Sequence, residues 1–194
     1  MHNTPIGVQE LKCSRWLFGF TLAELLVTLM IFSFLSLITI AFYSGFQSRQ
    51  FVSLKAWEVK RSLELARSIA ITQRKKIKLC MAIDYHCVAI NGTQLLIFSD
   101  DNANHQWSQD ERIYRNISLD GITIKLSASG RKFIRFKPTG ESMESGNFLI
   151  CDSDKSDYAK QVIVYLTGSI RFSKDINLDG YDDKKGRSII CPYG

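Results

Sequence analysis

The sequence predicts an α+β fold, in which a long N-terminal helix packs on an antiparallel β-sheet domain. Three observations support it: an apolar run over residues 20–41, a helical stripe of apolar residues that continues to about residue 73, and short alternating segments thereafter. With 194 residues and 45% hydrophobic content, the chain can form one domain of ordinary size plus an appendage. We therefore expect four regions, namely 1–19, 20–41, 42–73 and 74–194, and we call the last of these the head.

The apolar run of residues 20–41 is long enough to cross a bilayer, because about 20 apolar residues span the hydrocarbon core. Lys12 and Arg15 precede it, and basic residues flank the cytoplasmic end of a membrane segment. We therefore expect a transmembrane helix with the head outside the cytoplasm. A plain signal anchor does not explain Glu24, because a carboxylate at this depth costs about 3 kcal/mol unless it has a partner.

The helix is expected to continue from residue 42 to about residue 73, because no proline or other stop interrupts the pattern. Apolar residues recur there at steps of three and four, and charged residues lie between them. This stripe, which we expect to pack on the sheet, consists of Val52, Ala56, Val59, Leu63, Ala66 and Ala70.

The head shows short alternating segments that are typical of antiparallel strands. The predicted strands are 77–81, 86–90, 94–99, 122–127, 133–137, 146–151, 161–166 and 169–173. Asn91-Gly92 is the strongest signal for a tight hairpin turn, because both residues tolerate a positive φ.

Four of the five cysteines follow the apolar run, and thus lie on the side where disulfides persist. Four cysteines allow three connectivities. We favour Cys80 with Cys87, which closes a local hairpin, and Cys151 with Cys191, which fixes the C-terminal tail. A zinc site is a poor alternative, because the chain has no Cys-x-x-Cys and its three histidines are scattered.

The segment Gly19-Phe20-Thr21-Leu22-Ala23-Glu24 resembles the processing signal of type IV pilins and pseudopilins. The resemblance implies that a prepilin peptidase removes residues 1–19 by cutting after Gly19 and then methylates the amino group of Phe20. It also implies that Glu24 pairs with the N-terminal amine of a neighbouring subunit in a filament. The expected location is the bacterial inner membrane, as a single-pass protein with a periplasmic head, and then the filament.

Successive blocks between Gly19 and about Phe172 are similar to the GspH/FimT family of minor pilins and minor pseudopilins; examples are "SLELARSIAITQRKKIKLC", "RFKPTGES" and "QVIVYLTGSIRF". The resemblance implies a subunit that sits in or caps a type IV pilus or a type II secretion pseudopilus and primes its assembly. Its partners would be other major and minor pilins or pseudopilins. The sequence leaves the choice between the two machines open.

A DNA-binding tip pilin is the alternative function, because the net charge of +6 is compatible with polyanion contact. Some relatives carry Gly-Arg-x-Arg near the end, whereas this chain has Gly168 and Arg171 but Ser169 in place of the first arginine. Other basic residues lie on or beside the strand predicted at 133–137, where three cations flank Phe133. The DNA-binding candidates are therefore Arg131, Lys132, Arg135, Lys137 and Arg171. The competing interpretation is a solvated strand face that discourages edge pairing.

Two acidic loops suggest calcium, because their Asp and Asn residues have the spacing of EF-hand ligands. In residues 175–183, positions 1, 3, 5 and 9 are Asp175, Asn177, Asp179 and Asp183, Gly180 is the turn residue and the acid of position 12 is missing. In residues 100–111, positions 1, 3, 5 and 12 are Asp100, Asn102, Asn104 and Glu111, and His105 replaces the glycine. An Asx-rich turn without a metal is the alternative for both.

Catalytic motifs are missing from the sequence. It has no nucleophile elbow, no glycine-rich phosphate loop and, once four cysteines are paired, no cysteine left in the head for nucleophilic chemistry. We therefore predict a protein that is not an enzyme and requires no cofactor, with calcium as the candidate ligand.

Overall fold

The computed structural model describes residues 19–128, 130–153, 158–184 and 186–191, apart from the side chains of residues 37–45. The chain divides into two units, Met1–Phe42 and Tyr43–Gly194. The predicted leader lies outside the described residues except for Gly19. Helix α1 comprises Leu22–Gln73, so it begins in the first unit and ends in the second.

The described part of the first unit consists of the start of α1 and the three residues before it. The hydroxyl of Thr21 accepts a hydrogen bond from the backbone N–H of Glu24 at 3.2 Å, so Thr21 caps the helix. The apolar side chains of this segment are exposed, for example Leu22 at 77% and Met30 at 73%. Among the described residues, no helix has the length and apolarity of a membrane span.

The second unit contains the rest of α1 and eleven described strands. In chain order they are β1 (Ile77–Ile83), β2 (His86–Val88), β3 (Gln94–Ser99), β4 (Ile113–Ser118), β5 (Ile122–Ser127), β6 (Phe133–Phe136), β7 (Gly146–Asp152), β8 (Ala159–Val164), β9 (Ile170–Phe172), β10 (Asp183–Lys184) and β11 (Arg187–Ser188). The antiparallel head predicted from the sequence is confirmed, although β4, β10 and β11 were not among the predicted strands.

Strand β1 organises the first sheet. One of its edges pairs with β3, and its other edge pairs with β6 at Ile77 to Cys80 and with β2 at Met81 to Ile83. Strand β4 extends the sheet beyond β3. The second sheet has the order β5-β7-β8-β9 and is antiparallel throughout, and β10 and β11 form a separate hairpin.

The prediction of a tight hairpin at Asn91-Gly92 is wrong. Strands β2 and β3 both pair with β1 rather than with each other, and the two-residue turn lies at Asp84 and Tyr85, whose φ angles are 48° and 66°. Asn91 instead donates its N–H to the carbonyl of Ile124 at 3.0 Å, which links its segment to the second sheet. Gly92 is needed for close approach, because a Cβ there would lie 2.6 Å from the Cβ of Met81.

The helical stripe predicted from the sequence is confirmed. All six of its residues are at most 1% exposed, and they form one apolar cluster with residues of both sheets. Burying apolar surface contributes about 25 cal/mol per Å², so the packing of this face of α1 on both sheets stabilises the second unit.

Candidate functional site

The N-terminal segment presents the residues of the predicted processing and assembly site to solvent. A Cβ placed on Gly19 would meet no atom within 4 Å, and Phe20 is 80% exposed. Glu24 is exposed in the first turn of α1, where a carboxylate is favoured by the partial positive charge of the helix N-terminus. Gly19, Phe20 and Glu24 are thus all exposed in the described part of the chain.

Both disulfides lie in the second unit. Cys80 is bonded to Cys87 across β1 and β2, and Cys151 of β7 is bonded to Cys191 near the C-terminal end of the described chain. These are the pairs that the sequence favoured among the three connectivities. Each is buried in an apolar cluster of its own.

The cations expected to bind DNA near β6 are mostly paired with carboxylates. The guanidinium of Arg135 donates through Nε at 2.7 Å and through Nη2 at 2.5 Å to Oε1 of Glu144, which is buried. Arg131 lies 3.5 Å from the same oxygen, and Lys137 lies 3.1 Å from Glu141. The hydrogen bond and charge of Lys137 lower the pKa of Glu141.

The aromatic ring expected to stack on a base is also engaged. Phe133 is 7% exposed. The Nζ of Lys78 lies 4.7 Å from its centroid, and the imidazole of His105 packs edge-on at 5.0 Å. The predicted arrangement of three cations around an accessible ring is therefore not what the structure shows. Lys132 and Arg171 are exposed, and Arg171 donates weakly to the hydroxyl of Ser169 at 3.4 Å.

Both acidic loops form Asx-type turns, in which side chains accept hydrogen bonds from backbone N–H groups further along the loop. The hydrogen bonds of Asp179 to Ser188 and to the N–H of Tyr181 lower the pKa of its carboxyl. Among the described residues, no three His, Cys, Asp or Glu side chains are grouped closely enough to hold a metal ion. The calcium prediction is therefore not supported by a preformed cluster.

The cluster that sequence reasoning missed centres on Lys78 in β1. Its side chain is 1% exposed, and its Nζ contacts Oδ2 of Asp100 and lies 2.7 Å from Nδ1 of His105. Desolvation lowers the pKa of Lys78, against the hydrogen bond and charge of Asp100, which act to raise it. The alternating pattern identifies Lys78 only as a strand residue. Its partner Asp100 lies 22 positions further along the chain, so no local pattern joins the two.

Comparison with known proteins identifies the family. The sequence profile of the family described as Type II transport protein GspH matches residues 56–168, which is more than half of the chain. This chain belongs to the GspH family. The resemblance inferred from the sequence is thereby confirmed. The region matched by the GspH profile contains β1 to β8 and ends at Gly168; it includes neither the segment around Glu24 nor the loop of residues 175–183.

A solved structure shows the same fold. The type IV minor pilin FimU of Pseudomonas aeruginosa PAO1 has a TM-score of 0.50 and 21% identity, covering 66% of this chain and 92% of that protein. The minor pseudopilin EpsH from the type 2 secretion system of Vibrio cholerae has a TM-score of 0.46 and 14% identity, covering 62% of this chain and 94% of that protein. No curated protein sequence matches this chain.

Proposed function

We propose that this member of the GspH family is a minor pilin or minor pseudopilin subunit, incorporated in or at the tip of a type IV pilus or a type II secretion pseudopilus. It would prime assembly and thereby support pilus function or protein secretion. The observation that carries the proposal is the family match, together with an exposed apolar helix start that presents Glu24. The role is structural, with other pilins or pseudopilins as partners, and the proposal includes no catalytic step.

The proposal includes processing and a location. A prepilin peptidase would cut after Gly19 and methylate Phe20, leaving a single-pass protein of the bacterial inner membrane with a periplasmic head. The open backbone at Gly19 supports this step, since a protease needs an accessible chain. The two disulfides support the periplasmic location, because disulfides persist in oxidising compartments.

Glu24 would act in assembly through charge pairing. A carboxylate among exposed apolar side chains such as Leu25 and Leu26 is unsatisfied when that surface is covered by lipid or protein. The N-terminal amine of a neighbouring subunit would satisfy it, and a buried ion pair of this kind can fix one register among several. The alternative role of Glu24 is to stabilise the helix start, which Thr21 already caps.

The test compares the full chain with its Glu24→Ala and Glu24→Asp variants in cells that carry the corresponding machinery. We expect intact mass spectrometry to show removal of the leader in all three, and sheared filaments to contain much less of the Glu24→Ala chain. Glu64→Ala is the matched control, because Glu64 lies on the same helix and is half exposed, in a pair with Lys60. Normal incorporation of the Glu24→Ala chain would overturn the assigned role.

DNA binding by a tip pilin remains the alternative from the sequence, and no contact in the described residues favours it. Of its five candidate cations, three pair with glutamates. Anisotropy of labelled duplex DNA with the full chain in detergent, at two salt concentrations, tests it. Salt-sensitive binding that is lost in Arg171→Ala would favour the alternative.

A further inference from the structure

The two acidic loops share one backbone arrangement. In each loop, the side chain at position 1 accepts a hydrogen bond from the backbone N–H of position 6. The side chain at position 3 accepts one from the N–H of position 5, and the side chain at position 5 accepts one from the N–H of position 7. The pairs are Asp100 with His105, Asn102 with Asn104 and Asn104 with Gln106 in the first loop, and Asp175 with Gly180, Asn177 with Asp179 and Asp179 with Tyr181 in the second. Positions 4 and 6 have positive φ in both. This geometry alone indicates a turn and no ligand.

The first loop contains its own cation. The ammonium of Lys78 contacts Oδ2 of Asp100, the position-1 carboxylate, and lies 2.7 Å from Nδ1 of His105. The charge of this loop is thus balanced by a lysine from β1. We expect no metal ion there, because the ammonium occupies the carboxylate that a metal would require.

The second loop has a buried carboxylate oxygen without a partner. Asp183, at position 9, is 9% exposed, and its Oδ2 accepts the N–H groups of Ile176 at 2.7 Å and Asn177 at 3.1 Å. These donors belong to the loop, so the carboxylate is directed into it. Its Oδ1 is buried and has no hydrogen-bond partner. The guanidinium of Arg49 lies beside the loop, since a Cβ on Gly180 would be 3.3 Å from its Nη1, but among the described residues it forms no ion pair with Asp175, Asp179 or Asp183.

An unpaired oxygen of a buried carboxylate is costly, because burial removes the water that would solvate its charge. We propose that the second loop binds one divalent calcium ion, with Oδ1 of Asp183 as a ligand. The ion would occupy the role that the Lys78 ammonium has in the first loop. Further ligands would be the side chains of Asp175, Asn177 and Asp179, since carboxylate and amide oxygens can each accept more than one contact.

Calcium suits this site better than magnesium. Calcium accepts six to eight oxygen ligands in flexible geometry, whereas magnesium requires a near-ideal octahedron and retains its waters. The loop is not preformed, since its carboxylates do not yet converge, and a flexible coordination shell tolerates that. Ser188 in β11 donates to Asp179 at 2.6 Å, so binding would also order the hairpin that leads to Cys191.

The experiment is calorimetric titration of the full chain in detergent with CaCl₂ and, separately, with MgCl₂. We expect one calcium ion per chain, with a Kd on the order of 10⁻⁴ to 10⁻³ M, as in extracellular calcium modules. Asp183→Asn should weaken binding at least tenfold, because its amide oxygen can still accept the two N–H groups but the free carboxylate oxygen is gone. Asp84→Asn in the β1–β2 turn is the matched control and should bind as the unmodified chain does.

Three results would overturn the proposal: no heat of binding up to about 10 mM calcium, equal affinity in Asp183→Asn, or equal affinity for magnesium. Circular dichroism establishes whether Asp183→Asn is folded. If it is not, Asp175→Asn decides in its place, and unchanged affinity in that variant counts against the site.

Discussion

The ammonium of Lys78 contacts the carboxylate of Asp100 in the interior of the head, where the two side chains are 1% and 5% exposed. The imidazole of His105 and the ring of Phe133 also lie beside the ammonium. A buried pair of this kind has a desolvation penalty comparable to its attraction, so its main effect appears when one partner is removed. The pair therefore fixes how the loop of residues 100–111 sits against β1.

Removing either partner should destabilise the second unit, and the two losses should not add. We expect Lys78→Met and Asp100→Asn each to lower the free energy of unfolding by about 3 kcal/mol, because each leaves a buried group without its partner. The double variant should lose clearly less than the sum. Urea denaturation followed by tryptophan fluorescence measures all four chains. Strict additivity would contradict the direct coupling of the two residues.

The same pair gives a pH dependence. Burial acts to raise the pKa of Asp100, but the hydrogen bond and charge of Lys78, with hydrogen bonds from His105, outweigh it, so the pKa lies below its ordinary value. Between the folded and unfolded pKa values the unfolded chain binds more protons, so stability decreases as the pH falls below about 4. Unfolding at pH 6 and pH 3 should show a smaller loss in Asp100→Asn than in the unmodified chain. An equal loss would contradict this assignment.

Arg135 is expected to be a structural residue. Arg135→Ala should lower the free energy of unfolding by about 3 kcal/mol, because Glu144 is 3% exposed and loses its two-point contact. Lys132→Ala, directly before β6, should change stability by less than about 0.5 kcal/mol because Lys132 is exposed. Thermal unfolding of both variants tests this. Equal effects would show that the contact with Glu144 contributes little.

The two disulfides should differ in their effect on stability. Cys151–Cys191 closes a segment of 40 residues and Cys80–Cys87 one of 7. Chain entropy then predicts losses of about 4 and about 2 kcal/mol when the paired cysteines are changed to serine. Denaturation of the two double variants measures the difference. A larger loss for the short segment would indicate that packing around the sulfurs outweighs the entropy of the unfolded chain.

Position 168 requires glycine for two reasons, namely its positive φ and the atoms packed around it. Its φ is 77°, and a Cβ there would lie 2.0 Å from the carbonyl oxygen of Gly140, which accepts a hydrogen bond from Arg67. Gly130 has a φ of 78° but open space around it. Gly130→Ala should cost about 1 kcal/mol from backbone strain alone, and Gly168→Ala should cost clearly more. Thermal unfolding compares the two, and equal losses would contradict the steric argument.

The edge strands show where sequence patterns lose information. Strand β4 was not predicted, because its apolar alternation is weak. Among the described strands it pairs only with β3, and residues such as Arg115 and Asn116 are exposed along it. The turn at Asp84-Tyr85 was also missed. The preference of Asn-Gly for positive φ is a local property. The choice of the strand that pairs with β1 depends instead on packing against the second sheet.

The sequence by itself determined the α+β class, the buried stripe of α1 and most strands, and it favoured the two cysteine pairs that the structure shows. Each of these follows from periodicity or spacing along the chain, because the local geometry of a helix or strand decides which residues share a face. Three features were decided only by the tertiary structure. Lys78 pairs with a carboxylate of the first acidic loop, Arg135 pairs with the buried Glu144, and Oδ1 of Asp183 is buried without a hydrogen-bond partner. Those outcomes depend on contacts between residues distant in sequence, because burial and charge pairing are set by the whole packed domain rather than by any one segment.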